Sequence, residues 1–162
     1  IPDMGKIGTP DNILLKPGKC TPEEFKAIAL HPEIGYRILS GSGAELLTLA
    51  ATIAWTHHEK FDGSGYPRGL KAEAIPLEGR IAAIADTFDA LTSKRVYKPA
   101  FPFEQAIDIM HKRRGKDFDP ELLDTFLEGM DEVLTIRTQY ADGECALTIP
   151  PEADTVERRT RR

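Results

Sequence analysis

The feature that most constrains this chain is the adjacent pair His57-His58, followed four residues later by Asp62-Gly63-Ser64-Gly65-Tyr66-Pro67. Two imidazoles side by side at a helix end are costly to bury unless each finds a hydrogen-bond partner or a metal. The glycine-rich turn behind them lets backbone approach whatever the imidazoles hold. Half of the chain's four histidines sit here, a concentration that reads as a metal site. An isolated His-His dipeptide can also do no more than satisfy the last carbonyls of a helix, so the rest of the sequence has to decide.

It decides through three further stretches. His31 lies in His31-Pro32-Glu33-Ile34-Gly35, Asp3 in Asp3-Met4-Gly5-Lys6-Ile7-Gly8, and Asp86 in Ile84-Ala85-Asp86-Thr87-Phe88-Asp89. Histidines and aspartates spread over several helices form the donor set of a mixed nitrogen and oxygen metal site, suited to Fe, Mn or Zn rather than Ca.

Helical signals run the length of the chain. Thr21-Pro22-Glu23-Glu24 is a helix start with threonine as N-cap, proline at the first helical position and Glu24 closing a capping box. Ala44 to Trp55 reads as a helix whose face Leu46, Ala50 and Ile53 also carries His57. From Arg80 to Ser93, Ala82, Asp86 and Asp89 share one face, and Ile81, Ala85 and Phe88 form the adjoining apolar stripe. An aspartate bordering a buried stripe needs a partner, and a metal is one candidate. Phe103 to Arg114 supplies another helix closed by Gly115, and Asp119-Pro120 opens a long one running to about Tyr140. No run alternates strictly enough to signal a half-buried strand. The expected fold is all-α, a helical bundle with a metal site between its helices.

From Asp3 to about Leu127 the chain resembles an HD-GYP domain, a branch of the HD phosphohydrolase superfamily that hydrolyses the bacterial messenger cyclic di-GMP. The resemblance rests on Asp3-Met4-Gly5-Lys6-Ile7-Gly8, Leu14-Leu15-Lys16-Pro17-Gly18-Lys19, His31-Pro32-Glu33-Ile34-Gly35 and His57 through Pro67. Arg80-Ile81-Ala82-Ala83-Ile84-Ala85-Asp86 and Gly115-Lys116-Asp117-Phe118-Asp119-Pro120 extend it. Several motifs in the right order are far more specific than any one alone.

One departure stands out. The family places a histidine before the aspartate matching Asp3, and this chain has Pro2, which offers no side-chain donor and fixes its own backbone dihedral. The start at Ile1 is read as that of a fragment or processed chain that lacks an upstream helix carrying another histidine ligand. The resemblance implies one ion held by His31, His57 and His58 with Asp3 bridging, beside a depleted neighbouring site to which only Asp3 and Asp86 contribute. It therefore implies a divalent transition metal, Fe or Mn ahead of Zn. Relatives hold two or more per domain, and one ion is the expectation for the intact half here.

The implied chemistry is metal-assisted hydrolysis of a phosphodiester, with Asp3 beside the attacking hydroxide and Lys6, one helical turn on, reaching a phosphate oxygen. Tyr66, Arg95 and Lys98 match positions that contact the nucleotide. By themselves Lys6, Arg95 and Lys98 read equally as solvated charges, and Tyr66 as loop packing. The implied partners are a cyclic dinucleotide, a diguanylate cyclase contacted through Gly65-Tyr66-Pro67, and an upstream receiver or sensory domain. Two alternatives stay open: a non-catalytic module that binds nucleotide or a partner, and hydrolysis of another phosphate substrate.

The net charge of −5 argues against bulk nucleic-acid binding. An anionic substrate must then meet a local basic patch, for which Lys6, Arg68, Arg95 and Lys98 are candidates. Cys20 and Cys145 fit no metal spacing, so a reduced, cytoplasmic setting is the economical reading. No membrane span or signal peptide is evident. Residues 1–140 are assigned to the domain. Residues 141–162, with Pro150-Pro151 and four arginines among the last five residues, are assigned to a solvated, flexible tail.

Overall fold

The computed structural model describes residues 2–93 and 100–139. Arg95, Lys98, Cys145 and the tail 141–162 lie outside the described residues. The chain divides into two compact units, Ile1–Glu128 and Gly129–Arg162. In the first, a 3₁₀ helix (Pro2–Gly8) leads into α1 (Asp11–Leu14), α2 (Pro22–Ile28), α3 (His31–Leu39) and α4 (Glu45–Thr56). A long loop with a short 3₁₀ turn (Ala72–Ala74) then connects to α5 (Leu77–Thr92), α6 (Phe103–His111) and α7 (Pro120–Glu128). The second unit holds α8 (Met130–Gln139), which opens with the amides of Glu132 and Val133 donating to the Gly129 carbonyl. Among the described residues there is no strand, only an isolated bridge between Arg114 and Phe118, so the all-α expectation holds.

The capping signals translate into atoms. Thr21 Oγ1 accepts from the Glu24 amide at 3.3 Å, and Glu24 Oε2 accepts from the Thr21 amide at 2.7 Å. Asp119 Oδ1 accepts from the amides of Glu121 and Leu122 at 3.0 and 3.3 Å at the start of α7. The single helix expected from Asp119 to Tyr140 is divided at Gly129, where glycine's backbone entropy makes continuation costly. The helix expected to end at Gly115 stops at His111, and the chain turns back through Gly115 at φ +72°.

Small residues set how closely the helices of the site pack. A Cβ built on Gly5 would overlap the His31 carbonyl and the Gly35 amide, and one on Gly35 would stand 3.3 Å from Ala54 Cβ. The Gly5–Gly35–Ala54 stack thus lets the N-terminal 3₁₀ helix, α3 and α4 approach nearly backbone to backbone. A Cβ on Gly79 would overlap Thr56 Oγ1, which sets α5 equally close to α4.

The core between α3 and α4 is Leu39, Ala50, Ala51 and Ala54, with Tyr36 packed against it. Ile75, Ile84, Met110 and Leu123 are among the most deeply buried side chains. Phe88 meets Phe103 and Phe126 edge to face at 6.3 and 5.4 Å. A partly buried ion pair, Arg80 to Asp119 at 2.6 Å, ties α5 to the start of α7.

Two expected helix faces are corrected. On α4 the buried positions are Ala50, Ala51, Ala54 and Thr56, whereas Leu46 is 74% exposed. On α5 they are Gly79, Ala83, Ile84, Phe88 and Thr92, with Ile81 50% exposed and Ala85 exposed. Leu46, Ala50, Ile53, Ala82, Ala85 and Asp86 instead line an open apolar groove, joined by Pro2. Both helices are apolar on more than one side, and periodicity cannot say which side closes against a neighbour.

Candidate metal centre

His31 opens α3, His57 caps the C-terminal end of α4, and His58 follows it. The close crossing at Gly5 lays Asp3 across both. One ligand atom from each of Asp3, His31, His57 and His58 lies within 4.8 Å of the others. His31 Nε2 is 3.2 Å from His57 Nε2, and Asp3 Oδ1 is 3.5 Å from the first and 4.0 Å from the second. His31 and His57 are buried, at 1% and 3% exposure, while Asp3 opens to solvent.

The proton positions follow from the partners. His31 Nδ1 donates to the Ile28 carbonyl at 2.7 Å, and His57 Nδ1 to the Ala54 carbonyl at 3.0 Å. A carbonyl only accepts, so both rings carry a proton on Nδ1. Burial lowers the pKa of His31, of His57 and, to about 3, of His58, with the neighbouring imidazoles adding to the effect at His57 and His58. The rings are therefore neutral at pH 7, and two Nε2 lone pairs face each other with no proton between them. This arrangement repels unless a cation sits among the donors, and backbone bonds that orient metal-binding imidazoles through the other ring nitrogen are a common support. The residues fit a divalent transition metal.

Asp3 completes the donor set with a negative charge. Burial raises its carboxyl, but the hydrogen bond and the positive charge of Lys6 outweigh this and hold it below the usual range. Lys6 Nζ lies 2.6 Å from Asp3 Oδ2. The sequence expectation aimed this ammonium at a phosphate; the structure pairs it with the carboxylate that faces the histidines. An i, i+3 pair eclipses in a 3₁₀ helix, and the shorter turn accounts for the contact.

Asp86 stands apart from the tight four. Its charge bears on His31, His57 and Tyr66, and it lines both a cavity shared with His57 and His58 and the groove that Pro2 also lines. Asp89 accepts from Ser93 Oγ at 2.8 Å and is not tied to an imidazole. Arg68 does not face the cluster either: its guanidinium lies 4.6 Å above the Trp55 ring.

Tyr66 is brought to the centre. Its ring stacks on His58 at 4.8 Å and 28°, and meets Phe25 of α2 edge-on at 5.8 Å. Burial, with the charges of Asp3 and Asp86, pushes its hydroxyl up to about 12, so it stays a donor at pH 7. Phe25 and Glu59 are neighbours of the site that the sequence reading passed over. For Glu59 the signal was an acidic residue beside a histidine pair; for Phe25 no local signal existed.

A helical bundle that converges three imidazoles and a carboxylate on one point is a metal-binding α-domain. The HD domain pattern matches residues 1–122. The chain belongs to the HD domain family, whose members are metal-dependent phosphohydrolases. It is 50% identical over 139 residues to the cyclic di-GMP phosphodiesterase response regulator RpfG of Xanthomonas campestris, covering 86% of this chain and 37% of that one. A cyclic di-GMP phosphodiesterase of Thermotoga maritima is 50% identical over 140 residues, covering 86% and 38%. The chain thus spans just over a third of these relatives. A crystal structure of a cyclic GMP-AMP specific phosphodiesterase of Vibrio cholerae superposes with a TM-score of 0.53 at 25% identity, covering 74% of this chain and 26% of that one.

Proposed function

We propose that this chain is the metal-binding part of a phosphodiesterase that hydrolyses cyclic di-GMP. The observation that carries the reading is the facing pair of unprotonated Nε2 atoms on His31 and His57, closed by Asp3 and His58. Asp3, His31, His57 and His58 would hold a divalent metal, Fe or Mn ahead of Zn, and Asp86, which lines one cavity with His57 and His58, would serve a neighbouring ion. A bound divalent metal supplies Lewis acidity toward phosphoryl oxygen and makes water acidic enough to yield hydroxide near neutral pH. The chain's own residues do the rest. Asp3 accepts hydrogen bonds at the exposed edge of the cluster, Lys6 supplies positive charge beside it, and Tyr66 offers a hydroxyl donor and an aromatic face to the nucleotide. Arg95 and Lys98 join the substrate contacts in this reading.

Two relatives named for cyclic di-GMP match at 50% identity and one named for 3'3'-cGAMP at 46%, which supports a cyclic dinucleotide as the substrate class, with cyclic di-GMP the first to test. The Xanthomonas relative is named a response regulator, which supports a signalling role with an upstream receiver or sensory domain. The Gly65-Tyr66-Pro67 loop would be the contact for a diguanylate cyclase, in a reduced, cytoplasmic setting where Cys20 is a free thiol. No helix among the described residues is long and apolar enough to cross a membrane.

A second reading is favoured by Pro2. Three of the four histidines are already in the cluster, and Pro2 puts no imidazole beside Asp3 on the side of a second ion. The domain would then bind a cyclic dinucleotide or a signalling partner without cleaving it. Metal content per chain on anaerobically purified protein, with cyclic di-GMP turnover on the same sample, separates the two. Turnover with about two metals supports hydrolysis; about one metal, tight nucleotide binding and no turnover supports the binding module. Neither metal nor binding overturns both.

A further inference from the structure

We propose that Glu59 is a positioning residue that holds Tyr66 over the histidine cluster by clamping the return leg of the Gly65-Tyr66-Pro67 loop. The role matters to the phosphodiesterase reading above because Tyr66 faces its substrate, but the clamp itself stands on geometry alone. Glu59 is 3% exposed, and its two carboxylate oxygens accept from the backbone amides of Arg68 at 2.8 Å and Leu70 at 3.0 Å. Both donors lie just beyond Tyr66 in the chain, whereas Glu59 directly follows His58, on whose ring Tyr66 is stacked.

A buried carboxylate must be hydrogen-bonded, and here the bonds come from the loop itself. Lifting the loop would strip both donors from Glu59 and open it to water, so closure of the loop and burial of Glu59 are one event. The neighbouring contacts agree. The Tyr66 amide donates to the His58 carbonyl at 3.2 Å, and a Cβ on Gly65 would overlap the backbone of 58–60. The Arg68 side chain lies over Trp55, which stacks on Tyr36 at 4.1 Å. The outgoing leg is anchored separately, with Phe61 and Asp62 amides on the Asp117 and Lys116 carbonyls. Loss of Glu59 should therefore free the return leg and leave α4 in place.

The test is Glu59→Gln, which keeps the shape but turns an amide donor toward a backbone donor. On metal-loaded protein the expected result is at least about tenfold faster hydrogen exchange at Arg68 and Leu70, with Ala51 and Ala54 in α4 unchanged. Overhauser contacts from the Tyr66 ring to His58 and Phe25 should weaken, and Glu59→Asp, one methylene short, should fall between. An unchanged Tyr66–His58 contact overturns the proposal, and so does faster exchange that spreads through α4 or a variant that does not fold. Cyclic di-GMP affinity then gives a double-mutant cycle. Glu59→Gln should weaken binding about tenfold in the native background and not at all beside Tyr66→Ala; equal losses in both overturn the link to Tyr66. If the native chain binds no cyclic di-GMP, the substrate reading fails by itself, and the exchange and Overhauser results still decide the role of Glu59.

Discussion

His31 Nε2 and His57 Nε2 face each other at 3.2 Å while the Nδ1 atoms of both rings are bonded to backbone carbonyls. The two lone pairs have nowhere to turn, since rotating either ring breaks a buried hydrogen bond. Such a pair is preorganised for a cation and unfavourable without one.

His57→Ala should therefore remove most of the bound metal with little loss of helix. Outer-shell changes alone cost roughly ten- to a hundredfold in metal affinity, and loss of a donor should cost at least that much. Metal analysis beside far-ultraviolet circular dichroism checks this. Unchanged metal content would show that the ions sit elsewhere.

The metal-free protein should lose stability as pH falls below about 6.5. His31, His57 and His58 all have folded pKa values depressed by burial, that of His58 to about 3. Below the unfolded pKa of about 6.5 the unfolded chain takes up protons that the folded chain does not. The stability present above that pH is thus lost on acidification, by up to about 1.4 kcal/mol per pH unit for each such histidine. Urea titrations between pH 7 and 4.5 measure it, and a flat profile would contradict the depressed values. Bound metal should be shed only at lower pH, below the depressed folded pKa values, where protons begin to compete for the ring nitrogens.

Gly5→Ala should cost about 1–3 kcal/mol and lower metal affinity at once, because the added Cβ meets backbone on α3 and has no flexible side chain to displace. Gly43→Ala is the contrast: a Cβ there meets nothing within 4 Å and φ is ordinary, so the change should be neutral or stabilise by about 0.4–1 kcal/mol through the unfolded state. Chemical denaturation of both variants decides, and equal effects would deny the close crossing.

Asp119→Ala should be among the most damaging changes away from the histidines. It removes the acidic partner of Arg80, whose side chain is 16% exposed and keeps one bond to the Ile75 carbonyl, and it removes the cap of α7, for a loss of about 3 kcal/mol. Glu33→Gln, at an exposed pair with Arg37, should cost no more than about 0.5 kcal/mol. Comparable midpoints in urea for the two variants would refute the argument.

Pro2→His should raise bound metal if the missing donor is what limits the second ion. Asp3 and Asp86 supply only carboxylates on that side, and an added imidazole should strengthen it for Fe, Mn or Zn. Unchanged stoichiometry would mean that the separation of Asp86 from the cluster, and not Pro2, sets the limit.

The helices were legible because their signals are local. A capping box such as Thr21–Glu24 and a cap such as Asp119 act within one turn and owe nothing to the rest of the fold, whereas the break at Gly129 departs from the single helix expected there. The histidine pair and the motif around it were legible for the same reason, as an unusual local concentration of costly side chains. Which face of α4 or α5 would close was not, since Leu46 and Ile81 are as apolar as the residues that are buried. Nor was the pairing of Lys6 with Asp3, because an ammonium one helical turn on reaches the carboxylate, a ligand or solvent equally well. The sequence by itself determined the helical class, the helix starts and the histidine and aspartate donors available to a metal. Only the tertiary structure decided which donors meet, that Asp86 stands aside, and that Glu59 reaches across to the loop. Those outcomes depend on close backbone crossings at Gly5 and Gly35, between segments distant in the chain, and on the tight return of the loop at Gly65, where space and not local propensity decides.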